Sequence, residues 1–125
     1  MKIFDTNAVL RYILRDNIQM ADAVEEVLSK EDCLIPVEVI AETVYVLSKV
    51  YKIEREPIKQ AIEMITNIDN HIIEHQNVVI HALNVHASSK LDFVDCLLVG
   101  YSKVKGYEIF TFDKKLKSQL KINGK

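Results

Sequence analysis

Short apolar segments alternate with longer amphipathic ones along this chain, and the alternation limits the folds open to it. Residues 2–4, 33–35 and 107–112 are apolar or aromatic in the manner of strands, and residues 72–74 are a weaker candidate. Strands separated by helices predict an α/β fold, in which a central, mostly parallel sheet is flanked by helices. In such sheets the ligand site lies beyond the carboxyl ends of the strands.

Seven helices are predicted between and after these strands from the spacing of apolar residues. They cover residues 8–14, 20–29, 36–51, 56–70, 78–87, 93–105 and 113–119. Pro36 suits a first helical turn, and Gly106 suits the position just past a helix end. The chain has no repeat or low-complexity stretch, and its 125 residues can bury one continuous core but not two. We therefore expect one domain over residues 1–125.

The charges are unevenly distributed, although the net charge is only -2. Residues 103–125 carry seven lysines against Glu108 and Asp113, a net charge of +5, whereas the preceding residues are acidic. An acidic body with a basic end could hold cations and phosphates side by side, but a solvated lysine-rich tail explains the charge equally well. Cys33 and Cys96 lie in apolar runs, so we expect buried thiols in a reducing cytoplasm. No apolar run approaches membrane-spanning length.

Two aspartates directly follow predicted strands. Asp5 follows residues 2–4 and Asp113 follows residues 107–112, so parallel pairing would place both carboxylates at one edge of the sheet. An aspartate just before a helix is also a favoured N-cap, which satisfies a free backbone amide. For either residue alone, capping and a role at the site are about equally good interpretations.

Two further carboxylate positions lie on apolar helices. Glu38 and Glu42 occupy a narrow polar strip of the third helix, where they could be partly desolvated or could form an exposed acidic pair. Asp92 and Asp95 open the sixth helix with the spacing of a capping box, in which both acids only satisfy backbone amides. In the functional interpretation Asp92 caps the helix, while Asp95 projects from a first turn that favours the ionised carboxylate.

Clustered carboxylates repel one another, and their oxygens are the ligands that Mg²⁺ and Mn²⁺ prefer. A bound ion lowers the pKa of water and stabilises charge on a phosphodiester, so acids alone can support hydrolysis without a histidine or serine nucleophile. The candidate ligands are Asp5, Glu42, Asp95 and Asp113. The residues therefore indicate metal-assisted phosphodiester hydrolysis.

The same residues resemble the motifs of bacterial PIN-domain toxins, the nuclease half of VapBC-type toxin and antitoxin pairs. Residues 5–12 (DTNAVLRY) with residues 14–16 (LRD) resemble the start of that family, and Glu42 lies on the expected helix. Residues 95–98 (DCLL) resemble its third acidic motif, and residues 111–113 (TFD) its fourth. Each motif alone is weak, but their order and spacing cover nearly the whole chain.

The resemblance implies a Mg²⁺- or Mn²⁺-dependent ribonuclease acting on single-stranded or structured RNA and inhibited by a small antitoxin. It assigns metal-ligand roles to the same four carboxylates, and ligand- or water-orienting roles to Thr6, Asn7 and Thr111. It also implies a homodimer formed through the helices. Lys114 and Lys115, beside Asp113, are the candidate substrate-phosphate contacts.

Other functions fit less well or remain open. A response-regulator receiver needs paired acids after the first strand, whereas Asp5 stands alone, and a haloacid-dehalogenase-like phosphatase needs an aspartate where Asn7 stands. The four histidines, which are His71, His75, His81 and His86, lack zinc-site spacing and fit structural positions. A non-catalytic RNA-binding module, with the acids acting only as caps, stays open.

Overall fold

The computed structural model describes residues 1–69 and 71–124. The described residues form β1 (Lys2–Ile3), α1 (Thr6–Leu14), α2 (Ile18–Lys30), β2 (Cys33–Leu34), α3 (Val37–Lys49), α4 (Arg55–Thr66), α5 (Gln76–Ser88), α6 (Phe93–Lys105) and α7 (Lys114–Gly124). They cluster into two compact units, Met1–Gln76 and Asn77–Lys125. Within the described ranges no helix combines the length and apolar character needed to cross a membrane.

The sheet lies in the first unit and is small. β1 pairs with β2 in parallel, with Lys2 opposite Cys33 and Ile3 opposite Leu34. A single parallel bridge between Ile35 and Ile73 extends the pairing by one residue. The predicted strands near residues 2–4, 33–35 and 72–74 are therefore parallel neighbours, as expected. The described part of the chain is nevertheless mostly helical, and its sheet has two strands rather than the larger central sheet predicted.

The strand predicted over residues 107–112 is wrong. These residues are all described, and none of them belongs to a strand or bridge. A strand requires a partner for its backbone N–H and C=O groups, and alternation of side chains alone does not supply one. The alternation itself persists, because Ile109 and Thr111 are half-buried while Phe110 and Phe112 are exposed. Asp113 consequently does not follow a strand, and the parallel-edge argument for its position fails.

Local capping explains where α1 begins and ends. The Asp5 carboxylate accepts a hydrogen bond from the backbone N–H of Ala8 at 2.9 Å, which satisfies one free amide of the first turn. The helix ends at Arg15, which adopts the left-handed conformation with φ of 51°. Val9 and Leu10 are buried on the inner face of α1, which packs against α2 and α3. This helix therefore fixes Asp5 at its amino end.

Helix α3 is capped by a residue distant in sequence. Its N-cap is Pro36, which the sequence predicts to lie in the first turn and which instead stands one position before the helix, and proline has no side-chain group that can cap. Instead, the backbone N–H of Val37 donates a hydrogen bond to Oε1 of Glu74 at 2.9 Å. The backbone N–H of Glu74 in turn donates to the carbonyl of Ile35 at 3.0 Å. The bridge region thus fixes the start of the helix that carries Glu42.

The other helix boundaries differ from the predictions by a few residues at most. α3 ends at Lys49 instead of near residue 51. α4 ends at Thr66, whereas the predicted end near Asn70 lies outside the described residues. α6 spans residues 93–105 as predicted, with Gly106 in the left-handed conformation just beyond it. α7 begins at Lys114, so Asp113 stands just before the helix.

In the second unit α6 packs against α7, and it approaches α5 closely at Gly100. A Cβ added to Gly100 would lie 2.7 Å from the carbonyl oxygen of Val78, so only glycine allows this approach. Val78, Val79, Cys96 and Val99 are buried in α5 and α6. Cys33 in the first unit and Cys96 are both buried and lie outside any disulfide in the described residues, which confirms the prediction of buried thiols.

We predict that Gly100→Ala destabilises the protein by about 1–3 kcal/mol, the usual range for overpacking a close contact. The added methyl group meets backbone, which cannot move aside as a flexible side chain can. Urea denaturation followed by circular dichroism measures the change in the free energy of unfolding. Gly106→Asn is the matched control, because Gly106 has open space around its Cβ position and asparagine tolerates its positive φ. A smaller loss for Gly100→Ala than for Gly106→Asn would contradict the packing argument.

Candidate metal and nuclease site

In the first unit Asp5 and Glu42 are both exposed. Asp5 uses Oδ1 for the cap of α1, and this hydrogen bond does not involve Oδ2. Thr6 and Asn7, the other two residues of the opening motif, form the start of the same helix. The capping interpretation of Asp5 is therefore correct, and it leaves one oxygen of the carboxylate available to a ligand.

Glu38 and Glu42 differ from the expectation of partial burial. Both side chains are exposed, because the polar strip of α3 faces solvent while Ile40, Val44 and Leu47 point into the core. Desolvation therefore gives no reason for Glu42 to require a cation. Its candidacy rests on its place in the motif order.

A contact that sequence reasoning missed ties α1 to the end of α3. Arg11 donates from Nη1 to Asp16 at 3.1 Å and from Nη2 to the hydroxyl of Tyr51 at 3.4 Å. The hydrogen bond to Tyr51, followed by the charge of Asp16, raises the pKa of the Arg11 guanidinium. Tyr51 lies 40 residues from Arg11, so no local pattern signals this pair. The contact helps to position the two helices that carry Asp5 and Glu42.

In the second unit Asp113 caps α7. Its Oδ1 accepts a hydrogen bond from the backbone N–H of Leu116 at 2.8 Å, and its own backbone N–H donates to Oγ1 of Thr111 at 3.0 Å. Leu116 is buried, which anchors the first turn of the helix. As with Asp5, one carboxylate oxygen serves the cap and the other does not. Thr111 fixes the backbone at Asp113.

Asp95 lies half-buried in the first turn of α6, close to other acids. Burial raises the pKa of its carboxyl group, and the negative charges of Asp113 and Asp92 raise it further. Burial and the two neighbouring charges therefore outweigh the preference for the ionised carboxylate that a first helical turn provides. The expected repulsion is present, since ionised Asp95, Asp113 and Asp92 are near enough to interact unfavourably.

Asp92 occupies the N-cap position of α6, but its side chain accepts no capping hydrogen bond. The carbonyl of Asp92 does accept the N–H of Cys96 at 3.0 Å, which starts the helical hydrogen-bonding pattern. The capping box is therefore not formed, and the side-chain cap that both interpretations assigned to Asp92 is wrong. Phe93, buried and in edge contact with the ring of His86, holds this end of α6 by apolar packing.

The donor chemistry of Asp95 and Asp113 fits a hard divalent cation. Both supply carboxylate oxygens, and a cation would remove the repulsion that raises the Asp95 pKa. Among the residues that the structure describes, however, no group of three or more His, Cys, Asp or Glu side chains is arranged to hold a metal ion. The same finding applies to the four histidines, of which His86 is buried and His71 and His75 are exposed.

Lys114 and Lys115 are exposed at the start of α7, directly after Asp113. Lys103 and Lys105 are exposed at the end of α6. We call residues 103–125 the basic segment. These four of its lysines are therefore exposed on the helices that precede and follow residues 107–112 in the chain. This arrangement is available to phosphates, and it equally fits a solvated surface.

Comparison with known proteins decides the family. A family model for the PIN domain matches residues 2–119, almost the whole chain. The chain belongs to the PIN-domain family. The match covers residues of both compact units.

A relative of this PIN domain is described as a VapC ribonuclease from Aquifex aeolicus (strain VF5). It is 30% identical over 122 residues, and the alignment covers 94% of this chain and 90% of that protein. The PIN domain is accordingly of the VapC type, as its motifs indicated. No solved structure matches the chain significantly.

We predict that Asp95→Asn leaves the metal-free PIN domain at least as stable as wild type at neutral pH. The raised pKa means that the folded state binds this proton more tightly than the unfolded state, so ionisation of Asp95 lowers stability as pH rises from 3.8 through the folded pKa. Asparagine removes this loss. Unfolding free energies measured in EDTA from acid to neutral pH should show the advantage of the variant shrinking as the pH falls.

Asp92→Asn is the control for that experiment, because the exposed Asp92 carboxylate makes no capping bond. It should relieve only part of the repulsion felt by Asp95, and it should change stability less than a lost cap, which typically reduces stability by about 0.5–2 kcal/mol. A metal-free Asp95→Asn protein clearly less stable than wild type at neutral pH would contradict the repulsion argument.

Proposed function

We propose that this PIN domain is a metal-dependent endoribonuclease and the toxin component of a VapC-like toxin and antitoxin pair. The observation that carries the proposal is the alignment, over 94% of the chain, with a relative described as a VapC ribonuclease. The reduced thiols of Cys33 and Cys96 suit a reducing compartment, and we propose that the protein lies in the cytoplasm.

We propose Asp5, Glu42, Asp95 and Asp113 as the catalytic metal ligands, with Mg²⁺ or Mn²⁺ as the ion. The repulsion between Asp95 and Asp113 supports a cation beside them, and the motif order supports Asp5 and Glu42 as further ligands. A bound divalent ion would lower the pKa of water and stabilise negative charge on the scissile phosphodiester. No histidine or serine nucleophile is then required.

The residues around these carboxylates have positioning roles in the proposal. The caps at Ala8 and Leu116 fix one oxygen of Asp5 and of Asp113, so that the other oxygen has a defined direction. Thr111 holds the backbone at Asp113. We propose that Thr6 and Asn7 orient ligands or water at the start of α1. Lys114 and Lys115 would bind substrate phosphates.

Two observations favour a second candidate, a non-catalytic RNA-binding module. In the described part of the chain no three potential ligands are arranged around a metal position, and Asp5 and Asp113 have structural work as caps. A single assay distinguishes the nuclease from the non-catalytic RNA-binding module. Incubation of purified protein with total RNA, with Mn²⁺ or with EDTA, gives metal-dependent fragments only if the protein is a nuclease.

We predict that Asp5→Asn abolishes Mn²⁺-dependent cleavage and growth toxicity while leaving stability close to that of wild type. Asparagine is as good an N-cap as aspartate, so the hydrogen bond from Ala8 survives, but the anionic ligand is lost. Cleavage is measured on total RNA with Mn²⁺, and folding by thermal melting in EDTA.

Glu26→Gln is the matched control, since it removes one negative charge from an exposed residue whose carboxylate pairs with Lys30 on the same helix. It should retain full cleavage. If Asp5→Asn cuts RNA as well as this control does, Asp5 is not a ligand and its role is the cap alone.

We propose a homodimer formed through the helices, and binding of an antitoxin segment that enters the acidic site. Light scattering at micromolar concentration should give the mass of two chains, and co-expression of the antitoxin encoded beside the gene should relieve toxicity. A monomeric mass at that concentration contradicts the dimer, and undiminished toxicity with the co-expressed antitoxin contradicts that partner.

A further inference from the structure

The extended residues between α6 and α7 present two aromatic rings to solvent. Phe110 is 90% exposed and Phe112 is 83% exposed, far more than is usual for phenylalanine. Their ring centroids are 5.3 Å apart, with the rings at 70° to each other. The alternating burial of residues 109–112 and this contact are typical of extended backbone, in which residues i and i+2 point to the same side. The two rings therefore form one exposed aromatic pair.

The segment that carries this pair is fixed at both ends. Tyr107 stacks on Tyr101 of α6, with ring centroids 6.2 Å apart and the rings nearly parallel. At the other end Thr111 accepts the backbone N–H of Asp113, which caps α7. The aromatic pair is thus displayed from an anchored connection.

We propose that Phe110 and Phe112 are a stacking platform for the bases of single-stranded RNA, with Lys103, Lys105, Lys114 and Lys115 as contacts for its phosphates. The choice of RNA rests on the proposed function, and the platform names the form of RNA that the domain holds. Bases paired inside a duplex cannot stack on these rings, whereas unpaired bases can.

The charges around the pair are the reason for choosing a nucleic acid. The four lysines are exposed on the two flanking helices, and the chain from residue 103 onward has a net charge of +5. Aromatic side chains within a basic surface are the combination that binds single strands without sequence preference. Protein interfaces are also aromatic, but lysine is depleted in them. A polyanion with flat apolar bases therefore fits this surface better than a protein partner does.

The stacking platform directly precedes a residue of the candidate site in the chain. Phe112 is followed in the chain by Asp113, which interacts electrostatically with Asp95. A base stacked on Phe112 would keep the backbone of its strand beside these two carboxylates. Stacking does not discriminate between bases, because every base has an aromatic face. We therefore expect weak sequence preference for the base bound at this position.

A tryptophan reporter tests the stacking directly, because the chain contains no tryptophan. Phe112→Trp keeps an aromatic ring at the position, and stacking of a base should quench its fluorescence. The titrant is oligouridylate of about 12 nucleotides, within the range bound by single-stranded folds, in EDTA so that cleavage is absent. Tyr45→Trp is the matched control, since Tyr45 is 62% exposed on α3 and lies outside the basic segment. Its fluorescence should not change.

Affinity measurements separate stacking from charge. Each of Phe110→Ala and Phe112→Ala should weaken binding of the oligouridylate about 5- to 100-fold and leave the salt dependence unchanged. The double variant Lys114→Ala, Lys115→Ala should also weaken binding. Unlike the phenylalanine variants, it should reduce the slope of log affinity against log salt concentration, by about 0.7 per lost phosphate contact. Duplex RNA of the same length should bind equally to wild type and to the phenylalanine variants.

Three results would overturn the platform. They are unquenched Phe112→Trp fluorescence at saturating oligouridylate, unchanged affinity in both alanine variants, and dissociation of an oligomer by those variants without loss of RNA affinity. The last result would show that Phe110 and Phe112 contact another protein chain and not RNA. A folded Phe110→Leu variant, which keeps apolar bulk without the ring, excludes a purely structural effect if it also loses affinity. Because these measurements are made in EDTA, failure of metal-dependent cleavage leaves them valid.

Discussion

Parallel pairing of β1 with β2 is the constraint on which the first unit depends. Parallel strands cannot be joined by a tight turn, so the chain must cross over, and α1 and α2 form that crossover. The pairing fixes Asp5 just beyond β1 and Pro36 just beyond β2. The bridge between Ile35 and Ile73 then brings Glu74 to the start of α3. Two very short strands thereby determine where the helices bearing Asp5 and Glu42 begin.

Capping and ligand binding are compatible roles for an aspartate that precedes a helix. A cap uses one carboxylate oxygen, as the bonds from Ala8 to Asp5 and from Leu116 to Asp113 show. The capped oxygen restricts rotation of the side chain, so the second oxygen points in a limited range of directions. Pre-orientation of this kind reduces the entropy lost when a ligand binds. The structural role of these residues therefore supports, and does not replace, the proposed chemical role.

The sequence predicts features that local chemistry determines and misses those that depend on distant partners. The bounds of α6 and the cap at Asp5 follow from nearby residues, and both are correct. The strand predicted over residues 107–112 required a partner that the pattern could not guarantee, and the exposure of Glu42 depended on which face of α3 the core covers. Glu74 capping α3 from 37 residues away left no local signal. The candidate acids were found by motif, while their mutual arrangement was not predictable.

In the proposed function, binding of an RNA strand and its cleavage would depend on different charges of the second unit. The lysines on α6 and α7 attract phosphates whether or not a cation is bound, and base stacking requires no ion at all. Asp95 and Asp113 act in the opposite sense, because their carboxylates repel both each other and any phosphate brought beside them. That repulsion is local, since ions in solution screen exposed charges beyond roughly 10 Å. In the proposed function, an RNA strand would therefore bind along residues 103–115 without an ion, and a divalent cation would offset the repulsion between its backbone and the carboxylates of Asp95 and Asp113.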